Sequence, residues 1–176
     1  FSLRPSASHQ GFICCFDGWA SALDFLNGPL LRQLRQKARE WWQGLFAVQS
    51  ARGAWDQQVW DITPANLIEH VSPPPESSEM LAVITRASIK PAKAMAFWRY
   101  APAAQADLDQ APGCQIAMGL GEAPLLRQCT FSLWQDLDCM QRYAHHDAHK
   151  QAIDAAYRHQ FFSESLFVRM RLLSMQ

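Results

Sequence analysis

The chain has 176 residues, 16 acidic and 16 basic, with 49% hydrophobic and 18% charged residues. That length carries one good-sized core or two small packed repeats without covalent staples. The even charge balance leaves no electrostatic footprint for nucleic acid and no polybasic patch for a membrane surface, which argues against nucleic-acid binding.

Cys14, Cys15, Cys114, Cys129 and Cys139 are odd in number, lie mostly in apolar runs and make no zinc spacing. They read as reduced, buried thiols of a cytoplasmic protein. No apolar run approaches the roughly 20 residues that span a bilayer, and FSLRPSASHQ lacks the features of a signal peptide. A soluble chain is expected, with transient membrane contact left open. Seven tryptophans and ten phenylalanines point to a wide apolar cavity or a partner surface as readily as to a dense core.

Residues 1–10 read as loop, and Gly11 to Phe16 as a buried strand ended by Asp17-Gly18. Helical patterning follows from Trp19 to Leu26 and from Pro29 to Phe46, where Leu30, Leu34, Ala38, Trp41, Trp42 and Leu45 form a stripe interrupted only by Lys37, and Pro29 suits a first helical turn. Val48 to Trp60 begins as a strand and is expected to turn at Arg52-Gly53, where glycine admits a positive φ. The three prolines of SPPPESSE, residues 72–79, make a linker. The expected division is residues 1–71, the linker at 72–79, and residues 80–176.

Beyond the linker, Met80 to Ile89 alternates as a strand, with Leu81, Val83, Thr85, Ala87 and Ile89 on one face and Ala82, Ile84, Arg86 and Ser88 on the other. Arg86 is the anomaly: either a rim arginine paired with a carboxylate, or a cation lining a pocket for a propionate or bound oxygen. Ala92 to Leu108 is helical with a kink expected near Pro102, Pro112-Gly113 turns, and Cys114 to Leu120 and Gln128 to Trp134 are strands. Asp136 is a good N-cap for the next helix, and a closing strand lies around Leu166 to Leu172. The order strand, helix, strand, strand, helix, strand from residue 80 is the split unit of an α+β, ferredoxin-like fold. The first half reads as a shorter, incomplete copy, giving two repeats of the dimeric α/β barrel type with a cavity between sheet and helices.

The later helical stretch breaks at a kink holding His145, His146 and His149. His149 is followed by Ala152, Ile153, Ala156 and Tyr157 at the spacing of one helical face, so it is expected on the buried stripe. A histidine there is either a core imidazole bonded to a backbone carbonyl or an axial ligand to heme iron. A non-heme metal held by His145 and His149, with Asp147 or Glu122, is a third arrangement of weak specificity.

SARGAWD at Ser50 to Asp56, ITRASIKP at Ile84 to Pro91, AFWRYAP at Ala96 to Pro102, GLGEAP at Gly119 to Pro124, QCTFSLW at Gln128 to Trp134, and H-x-x-A-I from His149 followed by FFSESLFVRMRLL stand in one order. Together they resemble the spheroidene monooxygenase family, carotenoid-oxidising enzymes similar to heme-binding dimeric α/β barrel proteins. The resemblance implies a b-type heme and insertion of oxygen into a long apolar polyene. It makes His149 the iron ligand and Arg86 a catalytic pocket residue, with Gln128 and Ser132 on a sheet face near the heme. Phe97, Trp98, Met118, Phe131 and Phe162 would line an apolar channel for a carotenoid-like substrate. The sequence carries no nucleotide-binding glycine motif, so electrons are expected from a separate ferredoxin or reductase, or the need is bypassed by peroxide. A heme carrier or sensor without turnover would use the same ligand set, and self-association to complete the barrel stays open.

Overall fold

A computed structural model of the chain describes residues 11–59, 80–123 and 126–176. The linker expected at 72–79, and the boundary it would mark, lie outside the described residues. Helices α1 (Trp19–Leu26) and α2 (Pro29–Lys37) precede strand β1 (Gly44–Trp55) and the two-residue strand β2 (Gln58–Val59). There follow β3 (Leu81–Ile89), a 3-10 turn at Pro91–Lys93, α3 (Ala94–Asp109), β4 (Cys114–Ala123), β5 (Arg127–Trp134), α4 (Leu137–Ala144), α5 (Asp147–His159) and β6 (Phe162–Met175).

The strands form one antiparallel sheet in the order β2-β1-β6-β3-β5-β4. Its last four members, β6-β3-β5-β4, have the order of a ferredoxin-like unit, so the fold expected from residue 80 onward is present. Local chemistry explains much of it. Asp136 caps α4 by accepting the Cys139 N–H at 2.7 Å, and Pro29 opens α2. Gly113 takes a φ of 82° where a Cβ would strike the Cys139 side chain.

The N-terminal half departs from expectation. Among the described residues it forms no sheet of its own; it lends β1 to the edge of the same sheet, beside β6. Residues 11–16 are not a strand, and Cys14 and Cys15 are exposed, while Cys129 and Cys139 are buried. Helix α2 stops at Lys37 rather than Phe46, because the chain from Gly44 pairs with β6 and turns Trp42 and Phe46 onto Phe131, at 5.6 Å between ring centres in each case. Long-range pairing overrides the local helical period. The hairpin turns at Asp56-Gln57, both at positive φ, rather than at Arg52-Gly53. Gly53 is needed for another reason: at a φ of 102° a Cβ would collide with the Ser165 carbonyl oxygen on β6.

Both faces of the sheet are covered. On one, Ala82, Ile84, Cys129, Phe131, Leu133, Leu166, Val168 and Met170 form a core that meets Trp42, Phe46, Trp55 and Met118. On the other, Leu81, Val83 and Trp134 pack beneath Leu108 of α3 and Cys139 and Met140 of α4. Among the described residues, no helix is long and apolar enough to cross a membrane.

Candidate functional site

The helical layer is built by α3 and α5 running in opposite senses. Tyr100 stacks on His159 at one end, and the His146 Nδ1 meets the Asp107 carboxylate at 3.2 Å at the other. His145 ends α4 with its Nδ1 2.7 Å from the Gln141 carbonyl, and His146, at ψ 145°, begins α5 from an extended backbone. The kink is thus not helical, and His145 and His149 are not one turn apart on a common helix as the non-heme arrangement required. Among the described residues, no group of three or more His, Cys, Asp or Glu is placed to hold a metal. The side chains of Asp147 and Glu122 are outside those described.

His149 lies just inside α5, partly buried, with its ring 4.5 Å from that of Tyr143. Tyr143 rests in turn on Trp134 at 5.2 Å and donates its hydroxyl to the Ala104 carbonyl at 3.3 Å. Burial holds the His149 pKa below the usual histidine value, with Asp107 opposing the shift, so the ring is neutral at pH 7. Its Nδ1 is buried and finds no hydrogen-bond partner among the described residues. Such a nitrogen is costly in a packed interior unless something else engages it. A neutral imidazole with an unengaged nitrogen suits a transition-metal ion, so in donor chemistry the residue fits heme iron. The expected apolar stripe is rotated, however. Ala152, Ala155 and Ala156 turn inward with His149, while Ile153 and Tyr157 are 38% and 81% exposed.

The floor opposite this helix can be read from strand register. Successive cross-strand rows on the helix-facing side are Arg171, Leu81 and Trp134; Arg169, Val83 and Ser132; Phe167, Thr85 and Thr130; and Ser165, Ala87 and Gln128. Gln128 and Ser132 therefore lie on the side of the sheet that faces the helices, and Ser132 accepts the Trp134 indole N–H at 2.9 Å. Thr85 is exposed although β3 is an inner strand, and Phe167 beside it is 38% exposed. An exposed inner-strand residue on the helix-covered side marks a gap between helices and sheet. The cavity of about 180 Å³ lined by Ala96, Arg99, Tyr100, His159 and Phe161 lies instead at the far end of α5, and is smaller than ordinary ligand pockets of roughly 300–1,000 Å³.

Arg86 does not join this site. It alternates with Ala82 and Ile84, so it points to the opposite face of the sheet from His149, and one pocket cannot hold both. Its guanidinium is fully buried, bonded to Glu164 at 2.6 Å and Asp56 at 3.2 Å and lying 4.5 Å over the Trp55 ring. Glu164 also accepts the N–H groups of Asp56 at 3.0 Å and Gln57 at 2.6 Å, which ties the hairpin turn to β6. Those backbone donors first, and Arg86 after them, hold the Glu164 carboxyl below the usual range against the opposing effect of burial. The rim-arginine reading is the one that matches this geometry.

The expected apolar channel is divided in the same way. Met118 and Phe131 belong to the core on the Arg86 side. Phe97, Trp98 and Phe162 gather on the α3 side, with Phe97 at 5.3 Å from Trp98 and 5.6 Å from Phe162. Sequence reasoning missed the helix-facing pair Arg169 and Arg171. The R-M-R alternation in FVRMRLL was the available signal, since it sets both opposite Val168 and Met170.

No protein-family model matches the sequence. The chain is 42% identical over its full length to a protein named spheroidene monooxygenase from Rubrivivax gelatinosus, of which it spans 65%. It is 34% identical over 98% of its length to a spheroidene monooxygenase from Rhodobacter capsulatus, covering 70% of that protein. The chain thus spans about two thirds of the length of these relatives. A Fusobacterium nucleatum crystal structure, provisionally described as a monooxygenase, matches 89% of the chain at 12% identity with a TM-score of 0.53, a likeness of fold alone. With motifs, ferredoxin-like topology and full-length identity in agreement, the chain belongs to the spheroidene monooxygenase family.

Proposed function

We propose that the protein is a heme-dependent monooxygenase that inserts oxygen into a long apolar polyene such as an acyclic carotenoid. The observation that carries this reading is the His149 imidazole, neutral by burial and with an unengaged Nδ1, beside a gap between α5 and the sheet. Family membership supplies the reaction class.

His149 would hold the iron of a b-type heme, and that group, when bound, supplies the activation of oxygen. The chain's own residues supply position and environment. Tyr143, anchored to the Ala104 carbonyl, covers one face of the imidazole and fixes its orientation. Trp134, bonded to Ser132, closes the floor beneath Tyr143 and keeps water from that side. Ala152, Ala155 and Ala156 leave depth between α5 and the sheet, where larger side chains would fill it. Thr85, Thr130 and Gln128 offer hydrogen-bonding groups to whatever lies there, and Phe167 an apolar surface. Electrons come from a separate donor protein, or peroxide takes the place of oxygen and bypasses the need for them.

The test is turnover: the protein loaded with heme, given an acyclic carotenoid in detergent micelles and a reductant, with products separated and weighed. Gain of oxygen by the polyene is the expected result. Heme bound in the Soret-active form without product from several polyenes would leave a carrier and refute the enzyme.

A further inference from the structure

Three arginines sit together on the helix-facing side of the sheet, and none of them is used by the site described above. Arg169 and Arg171 are two residues apart on β6, and Arg52 on β1 is paired across from Phe167, one row further along. Their parity is opposite to that of Val168 and Met170, which lie in the core on the other face. Arg169 and Arg171 are only partly exposed, and the Nε of Arg169 is buried with no hydrogen-bond partner among the described residues. Among the described residues, no carboxylate is paired with any of the three. Glu164 and Asp56, the acids near β6, are engaged by Arg86 on the opposite face.

Such an arrangement is unfavourable by itself. Like charges about two strand residues apart repel, and a buried guanidinium N–H without an acceptor loses its hydration for nothing. It becomes favourable when an anion with several oxygen acceptors lies across the row, because arginine binds carboxylates through paired, charge-assisted hydrogen bonds. The row is continuous with the gap: Arg169 is next to Val83 and Phe167 next to Thr85, on the side of the sheet that faces the helices.

We infer that Arg169 and Arg171, assisted by Arg52, form an anion site for the carboxylates of an amphiphilic planar ligand whose apolar body occupies the gap over Thr85 and Phe167. On the heme reading, on which this inference rests, those carboxylates are the porphyrin propionates.

Two ligands separate the inference from that reading. Metal-free protoporphyrin IX keeps the carboxylates but has no iron for His149, and its dimethyl ester keeps the ring but has no carboxylates. Binding is read from quenching of tryptophan fluorescence and from porphyrin emission. The unaltered protein should bind the diacid at least about tenfold more tightly than the diester. Arg169→Gln should weaken the diacid by about tenfold or more without changing the diester, Arg169→Lys should lose less, and His149→Ala should leave diacid binding in place. If hemin shows no dependence on His149 while the diacid still depends on Arg169, the heme reading fails and the anion site stands. If hemin depends on His149 but the unaltered protein binds diacid and diester alike, the anion site is overturned and the heme reading survives. Binding of none of the three ligands overturns both.

Discussion

Replacing Arg86 by methionine removes the charge while keeping much of the side-chain length, and the structure assigns its cost to the fold rather than to the site. Breaking a buried ion pair from one side costs about 3–5 kcal/mol, because the surviving charge is stranded. Two features place this case at the lower end. Glu164 retains the Asp56 and Gln57 N–H donors, and Asp56 is 56% exposed with Arg127 still 3.4 Å away, so water and a second cation take up part of the loss. About 3 kcal/mol remains. In a chain of this size that lowers the melting temperature by roughly 6–12 °C. Circular dichroism melts at pH 7 measure the shift, and the hemin-loaded Soret band, recorded below the melt, should be unchanged because Arg86 faces away from His149. A variant that melts within about 2 °C of the unaltered protein, at the resolution of such melts, but has a displaced Soret band would refute the two-face assignment.

Acid should act on the same hairpin. Glu164 has a depressed folded pKa, so its contribution is fully present above the ordinary carboxylate value and is lost as pH falls through the folded value; Glu164→Gln should flatten that acid limb in pH-dependent melts. His149 also has a depressed folded pKa, but as a base: the unfolded chain binds its proton more readily, so stability falls as pH drops below the ordinary value of 6.5. Denaturant titrations at pH 7.5 and 5.5 should show a smaller loss for His149→Phe than for the unaltered protein, and an equal loss would contradict the buried neutral ring. Gly53→Ala should cost about 3 kcal/mol or more, since it combines a strained positive φ with a collision against the Ser165 carbonyl, and a neutral effect on the melt would count against that strand register.

The second half of the fold was legible because its signals are local. Asp136 caps its helix, Pro112-Gly113 turns, and the alternation in MLAVITRASI sorts the two faces of β3 correctly. The first half was not, because its structure is set by a strand more than a hundred residues away. Trp41, Trp42 and Leu45 satisfy a helical period, yet pairing of β1 with β6 is what decides. The hairpin turn was misplaced since two non-glycine residues, Asp56 and Gln57, adopt positive φ with their N–H groups held by Glu164, a contact invisible to local pattern.

The candidate site divided along the same line. His149 could be placed on an inward helical face from spacing, though not the rotation that exposes Ile153 and Tyr157. Parity puts Gln128 and Ser132 on the helix-facing side of the sheet. Arg86 was misplaced, because alternation says which residues share a face but not which face the helices cover. Phe131 and Met118 were separated from Phe97, Trp98 and Phe162 for the same reason.

Ligation of heme iron by His149 is the central point. The most direct measurement is the absorption spectrum of the protein expressed with adequate heme, compared with His149→Ala and with Arg86→Met. The expected result is a Soret band of a histidine-ligated heme that is lost or strongly shifted in His149→Ala and intact in Arg86→Met. A band unaffected by loss of the imidazole would contradict it.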